Sequence, residues 1–292
     1  MSFFVVSCSN LSMNSHGLNN TTMSRSIEST QLKRYYYRTS RRLKSRGLLR
    51  TDQGVADSPY TSRNLIENFE KIALYDEYII KDGKFISEET KSKIKRWETA
   101  IKINVIHGKT NSINQIKIDK KNISNFSHRL SNLTGLSIEG NKSESNFIIL
   151  FLDLDEQRNF GEKLKELMPQ LTSAMIEAIT SSPRTTFCSA FALSKPSNAY
   201  EYTAAIILIK SEHSRLMRKS CIHEEMAQSL GLSNDSKIAR PSIFNDDEEF
   251  AFLTTHDENL LKILYDNRLK PGMNNKDALP IVTKIAKELM NF

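Results

Sequence analysis

The residues of this 292-residue chain that could do chemistry are concentrated in CIHEEMAQSLGLSND, residues 221–235. His223 is followed by Glu224 and Glu225, and a histidine beside carboxylates suits metal binding or acid–base catalysis. A helical zinc site needs two histidines four residues apart, because that spacing puts both imidazoles on one face. The residue four positions after His223 is Ala227, which has no ligand atom. This register therefore predicts a metal site that lacks one ligand.

A register shifted by one residue gives a more complete pattern. Residues 224–234, EEMAQSLGLSN, resemble the HExxHxxGxxH motif of metzincin proteases, in which the glutamate is the general base. The resemblance assigns that role to Glu225 and the turn glycine to Gly231. At the three positions of the histidine ligands it places oxygen donors, namely Glu224, Gln228 and Asn234.

Two later segments resemble metzincins in the same chain order. RPSIFND, residues 240–246, resembles the loop that carries a methionine beneath the metal, with Phe244 in the methionine's place. LTTHDENLLKILY, residues 253–265, resembles the closing helix, and Thr255 with Glu258 predicts a capping box at its start.

The rest of the chain predicts an α/β domain that positions the 221–235 helix. Strands are predicted for AIKINVIHG, FIILFLDL, TTFCSAFAL and YEYTAAIILIK, at residues 100–108, 147–154, 185–193 and 200–210. Helices are predicted between them, and a charged helix is predicted over EETKSKIKRW, just before the first of these strands. The apolar runs are far shorter than the roughly 20 residues that cross a bilayer. The metzincin resemblance implies a zincin-like twisted mixed sheet with an active-site helix, a Met-turn-like loop and a C-terminal helix.

A more specific resemblance covers most of the chain. NFEKIALYDEY, RWETAIKINVIHG and the segment from CIHEEM to LKPGM together resemble the domain-of-unknown-function family 2927, over roughly residues 50–290. Members of that family are often described as bacterial lipoproteins. The resemblance implies a fold and a cell-envelope location without an established reaction.

The first 49 residues predict a flexible basic tail ahead of a zincin-like domain at residues 50–292. The first 50 residues hold nine Lys and Arg and the single acid Glu28, a formal charge of +8, and the rest of the chain carries −1 of the net +7. A basic tail on a nearly neutral domain favours an anionic membrane surface as a partner. No nucleic acid partner is expected.

The first ten residues, MSFFVVSCSN, contain a lipobox-like sequence that ends at Cys8. Cys8 is therefore a candidate for lipidation, with the polar residues after it as a tether. The stretch before Cys8 is too short for a complete signal peptide. It predicts either a signal remnant whose true start lies upstream or an unprocessed cytoplasmic start. The first alternative places the domain in the bacterial cell envelope, facing the periplasm and anchored to the membrane.

The two cysteines of the body, Cys188 and Cys221, have no CxxC spacing, which excludes a cysteine-rich zinc site. In an exported protein they predict one disulfide. In a cytosolic protein they predict two small buried apolar residues.

Two functions of different classes follow from these residues. The first is a cleft that binds an envelope protein or peptide without zinc proteolysis, because oxygen donors replace all three histidines. The second is a metal-dependent peptidase or hydrolase in which Glu225 activates water and His223 takes part in catalysis. The candidate ligands of a divalent metal, either zinc or an oxygen-preferring cation, would then be His223, Glu224, Gln228, Asn234 and Asp235. A structural alternative makes Glu225 and Gln228 parts of a buried hydrogen-bond network.

Overall fold

A computed structural model describes residues 24–81, 84–141 and 143–290 of the chain. Within these residues the protein has a six-stranded mixed sheet, a two-stranded sheet and nine helices, which confirms the predicted α/β class. The strands are β1 (Tyr75–Lys81), β2 (Lys84–Lys91), β3 (Arg96–Trp97), β4 (Ile101–His107), β5 (Ile138–Gly140), β6 (Phe147–Leu152), β7 (Cys188–Lys195) and β8 (Asn198–Lys210). The helices are α1 (Ile27–Ser45), α2 (Ser62–Ala73), α3 (Ile113–Thr134), α4 (Leu154–Arg158), α5 (Gly161–Leu167), α6 (Ser173–Thr180), α7 (Arg215–Gln228), α8 (Thr255–Leu264) and α9 (Asn275–Met290).

The main sheet has the strand order β5-β4-β6-β8-β7, with the short β3 paired to the first part of β8. All neighbours pair in parallel except β7, which pairs antiparallel to β8. Strand β7 is therefore the antiparallel edge of a parallel sheet. Since it joins β8 through the tight turn at KPSN, this pair needs no helical crossover.

Strand β6 lies in the centre of the sheet, and all six of its residues are buried. Phe147, Ile149 and Phe151 face a core that includes α2, α3, α7, α8 and α9. Ile148, Leu150 and Leu152 face a second core that includes α5 and α6. The apolar run FIILFL thus results from burial on both faces, as expected for a parallel strand between two helix layers.

Residues 24–49 differ from the flexible tail predicted from the sequence, because α1 packs on the body. Its buried face includes Leu32, Tyr36 and Leu43, at helical spacing. At its start, the Ser29 hydroxyl donates to Glu212 over 2.7 Å, and Glu212 follows the carboxyl end of β8. Most of the basic charge that suggested a tail lies on the opposite, exposed face, whereas Arg25 and Arg50 are half-buried and pair with Glu212 and Glu249. Cys8 and the rest of residues 1–23 lie outside the described part of the chain.

The predicted boundary at residue 50 is also not a break in the fold. The Arg50 N–H donates to the Glu249 carbonyl over 2.7 Å, and the Ala251 N–H donates to the Arg50 carbonyl over 2.8 Å. Residues next to α1 are thus bound to the loop that precedes α8.

The helix predicted over EETKSKIKRW is wrong. Its first four residues belong to β2, which pairs antiparallel with β1, and its last two form β3. Charged residues occupy this hairpin because much of it is exposed, so local composition did not indicate strand pairing. The hairpin contacts the main sheet at Phe85, whose ring meets that of Phe191 on β7 edge-on, with 5.3 Å between centroids.

None of the described helices is both long enough and apolar enough to cross a membrane.

Candidate binding cleft

An open cleft of about 800 Å³ lies between the β1–β2 hairpin, strand β7 and helix α7. The hairpin contributes Glu77, Tyr78 and Phe85 to one wall. Strand β7 forms another wall with residues 188–192, and α7 forms the floor with Glu224, Glu225 and Gln228. None of the described residues that line this cleft is a histidine.

Helix α7 lies beneath the cleft and is bonded to the body at both ends. It begins at Ser214, whose hydroxyl caps it by accepting from the Met217 N–H, and its apolar residues enter the main core. At its other end, Trp97 Nε1 donates to the Ser229 carbonyl over 2.8 Å, and the Tyr265 hydroxyl donates to the Leu230 carbonyl over 2.9 Å. These bonds satisfy carbonyls that a helix end leaves without intrahelical partners.

Gly231 makes the chain turn possible after α7. Its φ of +118° is rarely adopted by other residues, and a Cβ at this position would lie 2.1 Å from the Lys95 carbonyl oxygen. The glycine that the metzincin resemblance singled out is therefore required by close backbone approach.

Carboxyl groups dominate the floor of the cleft. Glu225 is 3% exposed, and its Oε2 has no hydrogen-bond partner among the described residues. Burial, and then repulsion from neighbouring carboxylates, raises the pKa of Glu225 and of Glu224 well above the ordinary glutamate value. The same causes raise the pKa of Asp235 to about 7, and burial with repulsion from Asp247 raises that of Glu248 to about 7. The cleft therefore holds protons near neutral pH and would release them to bind a cation.

Four of the predicted catalytic and metal-ligand residues come together in this cleft: Glu224, Glu225, Gln228 and Asp235. The Gln228 amide lies 3.5 Å from Asp235 Oδ1, so these two residues are at most weakly bonded. The hydrogen-bond network suggested as a structural alternative is therefore incomplete, since Glu225 Oε2 has no partner in it.

His223 lies on the core side of α7, away from the cleft. Its ring stacks on Phe126 of α3 with 4.0 Å between centroids, and its Nδ1 accepts from the Leu253 N–H over 3.2 Å. Burial lowers the pKa of His223 to about 3, so the imidazole is neutral. The structure thus does not place His223 with the predicted metal ligands or with Glu225.

Asn234 also points away from the cleft. Its amide donates to the Lys71 carbonyl over 2.9 Å and to Glu89 over 3.2 Å, which ties the loop after α7 to α2 and β2. The three metzincin ligand positions, Glu224, Gln228 and Asn234, therefore do not converge on one point. Phe244, in the place of the methionine, is fully buried in the main core.

Cys188 and Cys221 form a disulfide, the alternative expected for an exported protein. Cys188 is half-buried and lines the cleft, whereas Cys221 is 1% exposed. The bond joins the first residue of β7 to the middle of α7. The ligand atoms of Cys188, Glu224 and Glu225 all lie within 4.8 Å of one another.

Two members of the acidic cluster were not found from the sequence. Glu77 reaches the cleft only because the hairpin is placed over it, and no local pattern signals that placement. Glu248 belongs to an acidic run that is typical of a solvated surface, but its backbone turns with φ of +62° and its side chain lines the cleft.

Fold and site together define a mixed α/β protein with a carboxyl-rich cleft at the antiparallel edge of its sheet. The chain belongs to the family described as "Protein of unknown function (DUF2927)", whose model matches residues 62–284. Helix α1 precedes the matched region. No curated protein and no solved structure matches the chain.

Proposed function

We propose that the cleft binds an extended segment of a cell-envelope protein or peptide, and that it does so without zinc proteolysis of the metzincin kind. The observation that carries this proposal is the position of β7. Among the described residues this strand pairs only with β8, and residues 188–192 line the cleft beside its other edge. An unpaired strand edge in a cleft is the usual site for strand addition by a peptide.

The side chains around this edge favour particular peptides. Phe85, Phe187 and Phe191 provide apolar contacts, and the carboxyl groups of the floor provide negative charge once they are ionised. A strand presents alternate side chains to opposite faces. Segments that alternate apolar residues with Lys or Arg therefore suit this cleft best.

We also propose that the fold is zincin-like. Support comes from the order of the parts after the mixed sheet: α7 with Glu225 at the cleft, the turn at Gly231, the loop with Phe244 and the closing helix α8. The lack of histidine among the described cleft residues favours a protein of this kind without the zinc reaction, because neutral amide oxygens are poor zinc ligands.

A panel of ten-residue peptides with alternating apolar and basic residues tests peptide binding by fluorescence anisotropy. N-methylation of every second residue of a bound peptide should weaken binding for one parity only, because strand pairing uses alternate N–H groups. Each lost bond should cost about fivefold in affinity, from roughly 1 kcal/mol. Equal effects of both parities, or binding by no member of the panel, would refute strand addition at β7.

Charge recognition has a matched pair of variants. Glu224→Gln should weaken the binding of a lysine-containing peptide, whereas Glu162→Gln, at an exposed position of α5, should not. Acetylation of the peptide lysines should remove the difference between wild type and Glu224→Gln. A peptide that binds all three proteins equally would show that the acidic floor has no part in recognition.

A metal-dependent hydrolase is the second candidate, and the unpartnered Oε2 of Glu225 favours it. A buried carboxyl with a raised pKa is suited to act as a general base near neutral pH. Peptide hydrolysis with zinc, manganese, magnesium or calcium present, and its loss in Glu225→Gln with metal binding retained, would support this candidate. No turnover with any of these metals would eliminate it.

For location, we propose that the domain rests on an anionic membrane surface in the cell envelope, with Cys8 as the lipidated anchor. Support comes from the exposed face of α1. Its exposed cations are Lys33, Arg34, Arg38, Arg41, Arg42 and Lys44, and they oppose the buried face. Glu28, the single acid of α1, is paired with Arg158. Each cation near an anionic surface contributes about 1 kcal/mol.

A further inference from the structure

The disulfide between Cys188 and Cys221 lies directly beside the carboxyl pair of the cleft. Cys188 Sγ and one oxygen each from Glu224 and Glu225 are within 4.8 Å of one another. Ligand atoms of one tetrahedral zinc ion are roughly 3.3–3.7 Å apart, since the metal–ligand bonds are about 2.0–2.3 Å long. A small side-chain movement would therefore bring all three atoms to one metal.

A separate observation indicates that this cluster is made for a ligand. The Oε2 atom of Glu225 is buried and has no hydrogen-bond partner among the described residues. Burying a carboxyl oxygen without a partner costs free energy, so such groups are rare unless something else satisfies them. This oxygen belongs to the residue whose ligand atom lies near Cys188 Sγ.

We propose that reduction of the Cys188–Cys221 disulfide creates a site for zinc or a similar borderline divalent metal. Its ligands are the thiolate of Cys188 and the carboxylates of Glu224 and Glu225. In the oxidised protein the sulfur is bonded to Cys221, so the site offers carboxyl oxygens alone. A thiolate is a far better zinc ligand than a disulfide sulfur, and the reduced cleft would therefore bind zinc much more tightly.

The reductant is a dithiol, and its access determines the course of the exchange. One thiolate of the reductant attacks the Cys188 sulfur, because Cys188 lines the cleft while Cys221 is almost fully buried. Cys221 leaves as a thiolate and takes up a proton. The second thiolate of the reductant then attacks the mixed disulfide, releases Cys188 and forms the reductant's own disulfide. Two electrons pass to the protein in total.

The ligand positions do not depend on the disulfide. Cys188 is held by the pairing of β7 with β8, opposite Ile209. The two glutamates are held by α7, whose Ile222 and Met226 are buried in the main core. Both parts of the site should therefore stay in place after reduction. Metal binding would displace the proton of the Cys188 thiol and those of the buried carboxyl groups.

Two cysteine variants separate this proposal from a general effect of losing the disulfide. Both cysteine variants are made in a Cys8→Ser background, so that no third thiol can bind the metal. Cys221→Ser then leaves Cys188 free beside the carboxyl groups, and Cys188→Ser leaves only the buried Cys221. Titration with cobalt(II) as a spectroscopic substitute for zinc should give one metal per chain in Cys221→Ser, with a thiolate-to-cobalt charge-transfer band. Cys188→Ser should lack the band. Adding Glu225→Gln to Cys221→Ser should weaken binding by at least about tenfold.

A Cys221→Ser protein without the band, or a Cys188→Ser protein with an equal band, would overturn the proposal. If either variant does not fold, wild-type protein reduced with a phosphine and desalted without oxygen gives the same test against its oxidised form. Unchanged cobalt binding after that reduction would likewise overturn it. The inference does not rest on peptide binding, which is measured on the oxidised protein and can fail separately.

Discussion

Replacing Asp235 with asparagine should stabilise the protein, and the gain should increase with pH. The cause is the pKa of this carboxyl, which burial and repulsion from Glu77, Asp246 and Glu248 raise from 3.8 to about 7 in the folded state. A carboxyl with a raised folded pKa binds its proton more tightly in the folded than in the unfolded protein. Its contribution is therefore most favourable below pH 4 and is lost as the pH rises towards 7.

The size of this effect on the free energy of unfolding is about 1.4 kcal/mol for each pH unit between the pKa of the unfolded state, 3.8, and that of the folded state, about 7. The free energy of unfolding of the wild type should lose roughly 2 kcal/mol from this group by pH 5 and about 4 kcal/mol by pH 8. Asparagine cannot ionise, so Asp235→Asn should avoid this loss and keep a polar group beside Gln228. The difference in the free energy of unfolding between Asp235→Asn and wild type should thus be about 2–3 kcal/mol larger at pH 8 than at pH 5.

Urea unfolding at both pH values, with a chelator present, measures this difference. Asp52→Asn is the control of opposite sign. Arg50 and the Gly54 N–H lower the pKa of Asp52 to about 2, so this variant should be destabilised at both pH values. An Asp235→Asn gain that is equal at pH 5 and pH 8 would refute a raised pKa at Asp235. It would also remove the physical basis for a proton-holding cleft.

Three further predictions concern the turn after α7, a buried ion pair and α1. Gly231→Ala should lower the free energy of unfolding by at least about 2 kcal/mol, because the new Cβ would collide with the Lys95 carbonyl. Gly47→Ala is the control: Gly47 also has a positive φ but has open space around it, so this variant measures the cost of the backbone conformation without a collision. Arg218 and Asp119 form a buried ion pair. Arg218→Met should destabilise the protein by about 3–5 kcal/mol, since it leaves Asp119 charged and buried without its partner. A double variant that also carries Asp119→Leu should recover much of that loss in the same unfolding assay. Changing Lys33, Arg38 and Arg41 to glutamine should abolish salt-sensitive sedimentation with phosphatidylglycerol vesicles, and unchanged sedimentation would argue against α1 as the membrane-facing surface.

The strands were predicted well where burial leaves a strong local pattern. FIILFL is buried on both faces, and AAIILI within β8 has the same environment, so composition alone identified them. The hairpin β1–β2 was mistaken in part for a helix because exposed charged residues do not distinguish the two structures. Its pairing is a tertiary fact that the local sequence does not contain.

The start of α8 shows how small errors arise even with a correct motif. A capping box was predicted at Thr255 and Glu258, and the structure has it one residue earlier, at Thr254 and Asp257. Both pairs fit the spacing. The Thr254 pair is selected because its side chains also bind the preceding loop, with Asp257 accepting from the Ile243 N–H over 3.0 Å. Tertiary contacts thus decide between equivalent local signals.

Only part of the site was predicted, because the direction of each side chain depends on how the helix packs. Adjacent residues on a helix point about 100° apart, so the His-Glu-Glu sequence could not place all three side chains in one cleft. Glu224 and Glu225 face the cleft, and His223 faces α3. The cleft therefore contains carboxyl groups that repel one another and hold protons, and the neutral imidazole of His223 is not among its lining residues.

The protons held by these carboxyl groups affect the binding of every proposed occupant of the cleft. A lysine side chain and a divalent metal must each displace protons from Glu224, Glu225 or Asp235, so binding of either should strengthen as the pH rises towards 8. Strand pairing along β7 involves amide groups that do not titrate, so this part of peptide binding should be independent of pH. A peptide held by both interactions should therefore show a pH-dependent contribution that disappears when its lysines are acetylated. The pH dependence of affinity thus separates recognition by the strand edge from recognition by the acidic floor.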